Sequence, residues 1–212
     1  PQPNRLLTLR AQLTESLGDL IGHQQRFLEL LAISVDARLH YTRGHSQAVA
    51  AVARALANRL GLNEKTVDLV YYAGLLGQIG KFSLPREALG GAGKLSHQEW
   101  EALRHHPNVG VGLMMHIQAM GEVAPYVHYQ NERWDGSGAP EGLKGRDIPL
   151  GSRILAVANA YHAMTCERPY RNGQMPHAEA VRVLLTEAGS KWDPAVTDAL
   201  AALAEAELLG EG

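Results

Sequence analysis

The chain has 212 residues, 45% of them hydrophobic, and 20 basic against 22 acidic side chains, for a formal net charge of −2. This is enough apolar material for one sizeable core, and the balance of charge excludes the long-range basic field that draws proteins to nucleic acid or anionic membranes. A single cysteine, Cys166, excludes an intramolecular disulfide and a cysteine-based zinc cluster, and neither a membrane-length apolar run nor a secretory leader pattern is visible, so the expectation is a cytoplasmic protein with no membrane and no nucleic-acid partner.

In chain order, Leu6, Leu13, Leu17, Leu20, Phe27 and Leu31 alternate four- and three-residue spacing with gaps at Arg10 and Gln24, which predicts an amphipathic helix over residues 1–35. Two uses are open to it: packing on its own domain, or forming a dimerising segment that links to an upstream sensory or receiver module. Residues 36–212 read as one further domain. Helical periodicity recurs over 49–60 and 67–76, with Gly61 as a stop and Asn63 as the next cap. Ser96 and Glu99 have the spacing of a capping box ahead of a helix that runs into the apolar stretch Val109 to Ile117. Residues 153–165 read as a buried Ala-rich helix, and Asp193-Pro194 starts a last helix through about Leu208. No alternating pattern is long enough for a sheet, so the fold class is all-α, a helical bundle.

One stretch breaks the helical pattern. Glycines at 136, 138, 142, 145 and 151 and prolines at 140 and 149 make residues 132–151 a long loop, either functional or a packing strap. Asp135 reads as a turn residue bonding its own backbone, and Arg153 as a structural group at the start of the following helix.

Taken together, Gly44-His45-Ser46, Gly77-Gln78-Ile79-Gly80-Lys81, His105-His106-Pro107, Gln130-Asn131-Glu132-Arg133-Trp134-Asp135-Gly136, Val157-Ala158-Asn159 and Arg168-Pro169-Tyr170-Arg171 resemble, in order and spacing, the HD-GYP family of bacterial cyclic di-GMP phosphodiesterases. The resemblance runs from about residue 40 to 200. It implies an HD-superfamily helical bundle, and family members bind two or three iron or manganese ions whose bound hydroxide attacks a phosphodiester. Here His45 and His106 stand at histidine ligand positions. The His-Asp pair is Gly77 and Gln78, the paired histidines are Gln130 and Asn131, and the aspartate of the Val-Ala-Asp element is Asn159. The tyrosine of Gly-Tyr-Pro is Ala139.

Neutral amides are weak ligands for these ions, so the residues read as a site without a metal cofactor, with iron or manganese as the alternative. A catalytic metal brings the pKa of bound water from about 15.7 to about 7, a gain of ~12 kcal/mol in access to hydroxide, whereas a lone histidine such as His128 supplies only ~10²–10⁴-fold. The expectation is therefore a catalytically impaired module with no catalytic residue. What the resemblance leaves is a phosphate side, Lys81, Arg168 and Arg171, although both arginines have carboxylates such as Glu132, Asp135 or Glu167 to pair with instead. Trp134 and Tyr170 are candidates for stacking on guanine or for ordinary packing. The resemblance implies cyclic di-GMP and diguanylate cyclases of the GGDEF class as partners, and the N-terminal periodicity admits a second copy through that helix. The competing readings are a phosphodiesterase with an unusual metal site and a structural dimerisation spacer.

Overall fold

The computed structural model describes residues 23, 25–37, 44–84, 96–116, 120–166 and 173–206. Within them the chain is a bundle of helices: α1 (25–37), α2 (His45–Arg59), α3 (Glu64–Leu76), α4 (His97–Met114), α5 (Ala124–His128), α6 (Leu150–Thr165), α7 (His177–Thr186) and α8 (Pro194–Glu205). Two 3₁₀ turns, Ile79–Ser83 and Gly145–Asp147, interrupt the connections. No strand occurs among the described residues, which matches the all-α expectation. No helix among them is long and apolar enough to cross a membrane.

The helix ends follow from local chemistry. Asn63 Oδ1 accepts the Thr66 N–H at 3.0 Å, and Ser96 and Glu99 close a reciprocal capping box. Asp193 caps α8 through the Ala195 N–H at 2.9 Å, with Pro194 in the first turn. At the end of α2 the Leu62 N–H reaches the Ala57 carbonyl and the Gly61 N–H that of Asn58, a Schellman arrangement that needs the positive φ of 72° at Gly61. Helix α6 begins at Leu150, three residues ahead of the expected start. The expected run through Leu208 is described only to Ala206.

Helix α2 is the centre of the bundle. It packs on α3, α6 and α8, and Val49, Ala50, Ala53, Leu56 and Ala57 are buried along it. Small side chains allow close approach: a Cβ at Gly74 of α3 would lie 2.6 Å from the Ala50 Cα. Leu28, Ala32 and Val35 of α1 join the same core.

The outer face of α1 differs from the expected seam. Leu31 packs inward against the core, and its neighbour Leu30 stands 62% exposed beside Phe27 at 56%. Residues 1–22, and Gln24, lie outside the described residues.

The Gly/Pro-rich segment is folded back on itself. Glu132 Oε1 accepts the N–H groups of Glu141 and Gly142 at 2.8 and 3.0 Å, and the Ala139 N–H reaches the Asn131 carbonyl. Its Trp134 and Asp135 N–H groups bond the carbonyls of Lys191 and Ser190, which straps the loop to the turn before α8. Arg153 donates to the Ile148 carbonyl at 2.9 Å and to Asp193 at 2.5 Å, and its guanidinium lies over the Trp134 ring. Arg153 is thus structural, as expected, and Trp134 is a packing residue. Asp135 accepts the Ser137 N–H at 2.8 Å, the local turn bond read from the sequence, and that bond with Ser137 holds its carboxyl below the usual range.

Candidate functional site

Six segments meet at one cavity of about 590 Å³. The start of α2 contributes His45, the turn after α3 Gln78 and Lys81, and α4 His106. The segment after α5 contributes Gln130 to Arg133 and Ser137 to Ala139, and α6 one face bearing Ala156, Asn159, Ala160 and Ala163. Trp192 closes a wall. Of the residues nominated from sequence, His45, Gln78, Lys81, His106, Gln130, Asn131 and Asn159 all line this cavity. Arg168, Arg171 and Tyr170 lie outside the described residues.

Each element reaches the cavity for a local reason. Gly44, at a φ of 76°, turns the chain into α2 so that His45 opens the helix. The buried carboxylate of Asp36, at the end of α1, accepts both the Ser46 N–H and the Ser46 hydroxyl at 2.8 Å, which satisfies an otherwise orphaned donor of the α2 N-terminus. Burial pushes the Asp36 carboxyl up, against the pull of those two bonds and of the Lys81 charge. Gln78 and Lys81 are set by the tight contact of their turn with α4, where a Cβ on Gly80 would fall 1.7 Å from the His106 carbonyl oxygen. Only glycine allows that contact, and it brings His106 and Lys81 to the same cavity.

The polar side chains form a directed run of hydrogen bonds. His45 Nδ1 lies 2.8 Å from His162 Nδ1, and His45 Nε2 lies 3.0 Å from Asn159 Oδ1. Asn159 Nδ2 donates to Gln130 Oε1 at 3.4 Å, and Gln130 Nε2 donates to the Gly77 carbonyl at 2.9 Å. The amide at Asn159 offers only its oxygen to His45, so His45 carries its proton on Nε2 and its Nδ1 accepts from His162. Both ring nitrogens of His45 are thereby engaged. Two oxygen acceptors of the lining, Gln78 Oε1 and Glu132 Oε2, are buried without a hydrogen-bond partner, in residues only 6% and 3% exposed. Among the described residues, no three His, Cys, Asp or Glu side chains are grouped so as to hold a metal ion.

His128 is not among the cavity-lining residues; its Nε2 lies 3.9 Å from Glu141 Oε1, and its ring meets Tyr129 edge-on. Sequence reading missed three contributors. His162 is one, although its i+3 spacing from Asn159 on α6 places both on one helix face. The others are Arg133 and Trp192, the latter held by an indole N–H bond to Glu187 at 3.0 Å.

Residues 20–196 match the model of the HD domain. The chain belongs to the HD domain family. Within it the relatives are HD-GYP phosphodiesterases. The cyclic di-GMP phosphodiesterase response regulator RpfG of Xanthomonas campestris pv. campestris is 33% identical over 200 residues, covering 92% of this chain and 52% of that protein. The 3'3'-cGAMP-specific phosphodiesterase 1 of Vibrio cholerae is 37% identical over 158 residues, 74% of this chain and 36% of that protein. This HD-GYP chain therefore spans about half, or less, of the length of these curated relatives. In fold it is similar to the crystal structure of a cyclic GMP-AMP-specific phosphodiesterase of V. cholerae, with a TM-score of 0.65 at 19% identity over 86% of this chain and 49% of that one.

Proposed function

We propose that this HD-GYP domain has lost hydrolysis and works as a regulatory module of bacterial second-messenger signalling, holding cyclic di-GMP as a receptor does. The observation that carries the reading is the run of hydrogen bonds from His162 through His45, Asn159 and Gln130 to the Gly77 carbonyl. Divalent iron and manganese take imidazole nitrogens and carboxylates with available lone pairs. In this chain His45 has both nitrogens engaged, and Gln78, Gln130 and Asn159 offer neutral amides, which leaves His106 and the single carboxylate Glu132 as the strong donors of the lining. Such a set is poor for a dinuclear centre.

The cavity retains features suited to a nucleotide. Lys81 and Arg133 supply positive charge for phosphate oxygens, and Trp192 supplies an aromatic wall. The lone acceptors Gln78 Oε1 and Glu132 Oε2 suit the N–H donors of a guanine edge. Arg168 and Arg171 add to the phosphate side on the strength of the family resemblance alone. The relatives are named for cyclic di-GMP and 3'3'-cGAMP, which puts a cyclic dinucleotide first among ligands.

Calorimetric titration with cyclic di-GMP, with metal assayed on the same sample, tests the proposal. Micromolar or tighter binding by metal-free protein is expected, weakened about tenfold or more by Lys81→Ala. Stoichiometric iron or manganese accompanied by turnover overturns the loss of hydrolysis. Absence of binding with and without metal overturns the receptor role and leaves a protein partner, such as a GGDEF-class cyclase, as the ligand to pursue.

A further inference from the structure

The turn ahead of α8 holds one large side chain firmly at the cavity. The Trp192 indole N–H donates to Glu187 Oε2 at 3.0 Å, and Glu187 Oε1 takes the Lys191 ammonium. The backbone between them closes on itself: the Glu187 carbonyl accepts the Ser190 and Lys191 N–H groups at 3.2 and 3.0 Å, and the Gly189 N–H reaches the Trp192 carbonyl at 2.9 Å. Gly189 has the positive φ of 79° that this closure requires. Burial pushes the Glu187 carboxyl up, but the bonds from Lys191 and Trp192 and the charges of Lys191 and Arg133 bring it below the usual range. The indole is therefore held by an ionised carboxylate, and its ring cannot turn without breaking a charge-assisted bond.

Trp192 is half-buried, packed in part on the core and lining the cavity with the rest. What the carboxylate adds to that packing is a fixed ring plane. The other lining groups leave room for a flat ligand and supply charge around it. Helix α6 contributes the small side chains Ala156, Ala160 and Ala163. Arg133 acts on the charge of Glu187, which puts a guanidinium on the Trp192 side of the cavity. Lys81 acts on Asp36 instead, in the turn that packs against α4.

We propose that Trp192 is the stacking surface for a purine base and that Glu187 is the positioning residue that presents it. The inference rests on the nucleotide reading of the cavity and adds where the base, as distinct from the phosphate, is held. A ring fixed in one plane matches the flat face that every nucleobase carries, so the contact binds a base without reading its edge. Affinity from the base then comes through Trp192 and affinity from the phosphate through Lys81, and the two can be removed separately.

Fluorine NMR and calorimetry on the full chain labelled with 5-fluorotryptophan test it. The three tryptophans give three resonances, and the one lost in Trp192→Phe belongs to Trp192. Cyclic di-GMP should shift that resonance, and ribose 5-phosphate, which has no base, should not. Trp192→Leu should weaken cyclic di-GMP binding about tenfold or more, with Trp192→Phe closer to the parent. Glu187→Met frees the ring, so affinity falls with the fraction of time the ring stays in place, about threefold or more. Glu187→Gln, whose oxygen still accepts the indole N–H, should restore most of that loss. Where Trp192→Leu fails to fold, the parent's resonance and the two Glu187 variants carry the test. Cyclic di-GMP bound with the Trp192 resonance unmoved, or with an affinity indifferent to Trp192→Leu, overturns this proposal alone and leaves the receptor reading standing. Equal affinities of Glu187→Met and the parent overturn the positioning role. A parent that binds neither cyclic di-GMP nor GMP overturns the nucleotide reading and this inference together.

Discussion

Asn159→Asp restores the carboxylate expected of the family at that position, and in metal-free protein it should destabilise the fold. The new carboxylate still accepts from His45 Nε2, but it has no N–H for Gln130 Oε1, which sits 3.4 Å from the present amide nitrogen. Two acceptors then face each other. Flipping the Gln130 amide relieves that contact and surrenders the 2.9 Å bond to the Gly77 carbonyl, so the frustration moves along the run without disappearing. Gln130 is 4% exposed, so water cannot freely compensate. One buried acceptor left unpaired costs ~1–3 kcal/mol, which for a domain of this size lowers Tm by about 2–10 °C. Urea and thermal unfolding of both proteins in excess chelator measure it, since any ion bound by the folded state would stabilise the variant by mass action. A variant as stable as its parent in chelator refutes the argument that the hydrogen-bond run holds this region together.

Other substitutions probe its surroundings. Gly80→Ala places a methyl group 1.7 Å from the His106 carbonyl, so the 3₁₀ turn and α4 must separate; a loss above ~3 kcal/mol is expected in urea unfolding, and a loss under ~1 kcal/mol would contradict the contact. Arg153→Met leaves the Asp193 carboxylate, in a side chain only 3% exposed, without its cation and should cost ~3–5 kcal/mol, read as a shift of the urea midpoint at unchanged slope. The raised pKa of Asp36 makes the folded state the stronger proton binder, so its contribution is fully present below the unfolded value of about 3.9 and is lost as pH rises through the folded value. Relative to Asp36→Asn, the parent should therefore lose stability with rising pH above about 4, and a difference that is flat or of opposite slope would refute the shift.

What could be read from the sequence was what is encoded locally or carried by the family's spacing. Asn63, Ser96 and Asp193 announce helix starts because a cap and the donor it satisfies lie within three residues. The loop was legible because glycine and proline act on their own backbone. The anchors His45, Gln78, His106, Gln130 and Asn159, far apart in sequence, line one cavity. His162 was not legible, since its importance rests on His45, 117 residues away, and a histidine late in an Ala-rich helix carries no local mark. His128 misled through nearness in sequence: α5 ends there and turns its ring toward Glu141. Helix α1 shows the same limit. Periodicity alone admits Leu30 or Leu31 beside Phe27, and only packing against the core decides which is left outside.

Helix α1 is tied directly to the cavity. Its outer face exposes Phe27, Leu30 and Ile33, and its last turn carries Asp36, whose carboxylate holds the residue next to His45 through two bonds of 2.8 Å. His45 in turn links His162 to Asn159 in the run of hydrogen bonds at the cavity. A rigid rotation of α1 therefore cannot leave the cavity untouched: either α2 follows and carries His45, or a buried carboxylate loses its partners at a cost of several kcal/mol. The family's metals, where present, tie the corresponding helices together by direct coordination. In this chain amides and imidazoles make the same connections through bonds that are individually weak and directional. A ligand entering the cavity, or a turn of α1, then needs to reorganise one or two such bonds, at about 1–3 kcal/mol. A nucleotide drives an exchange of that size by binding one arrangement about 5- to 150-fold more tightly than the other, so its differential affinity and not its total affinity decides the response.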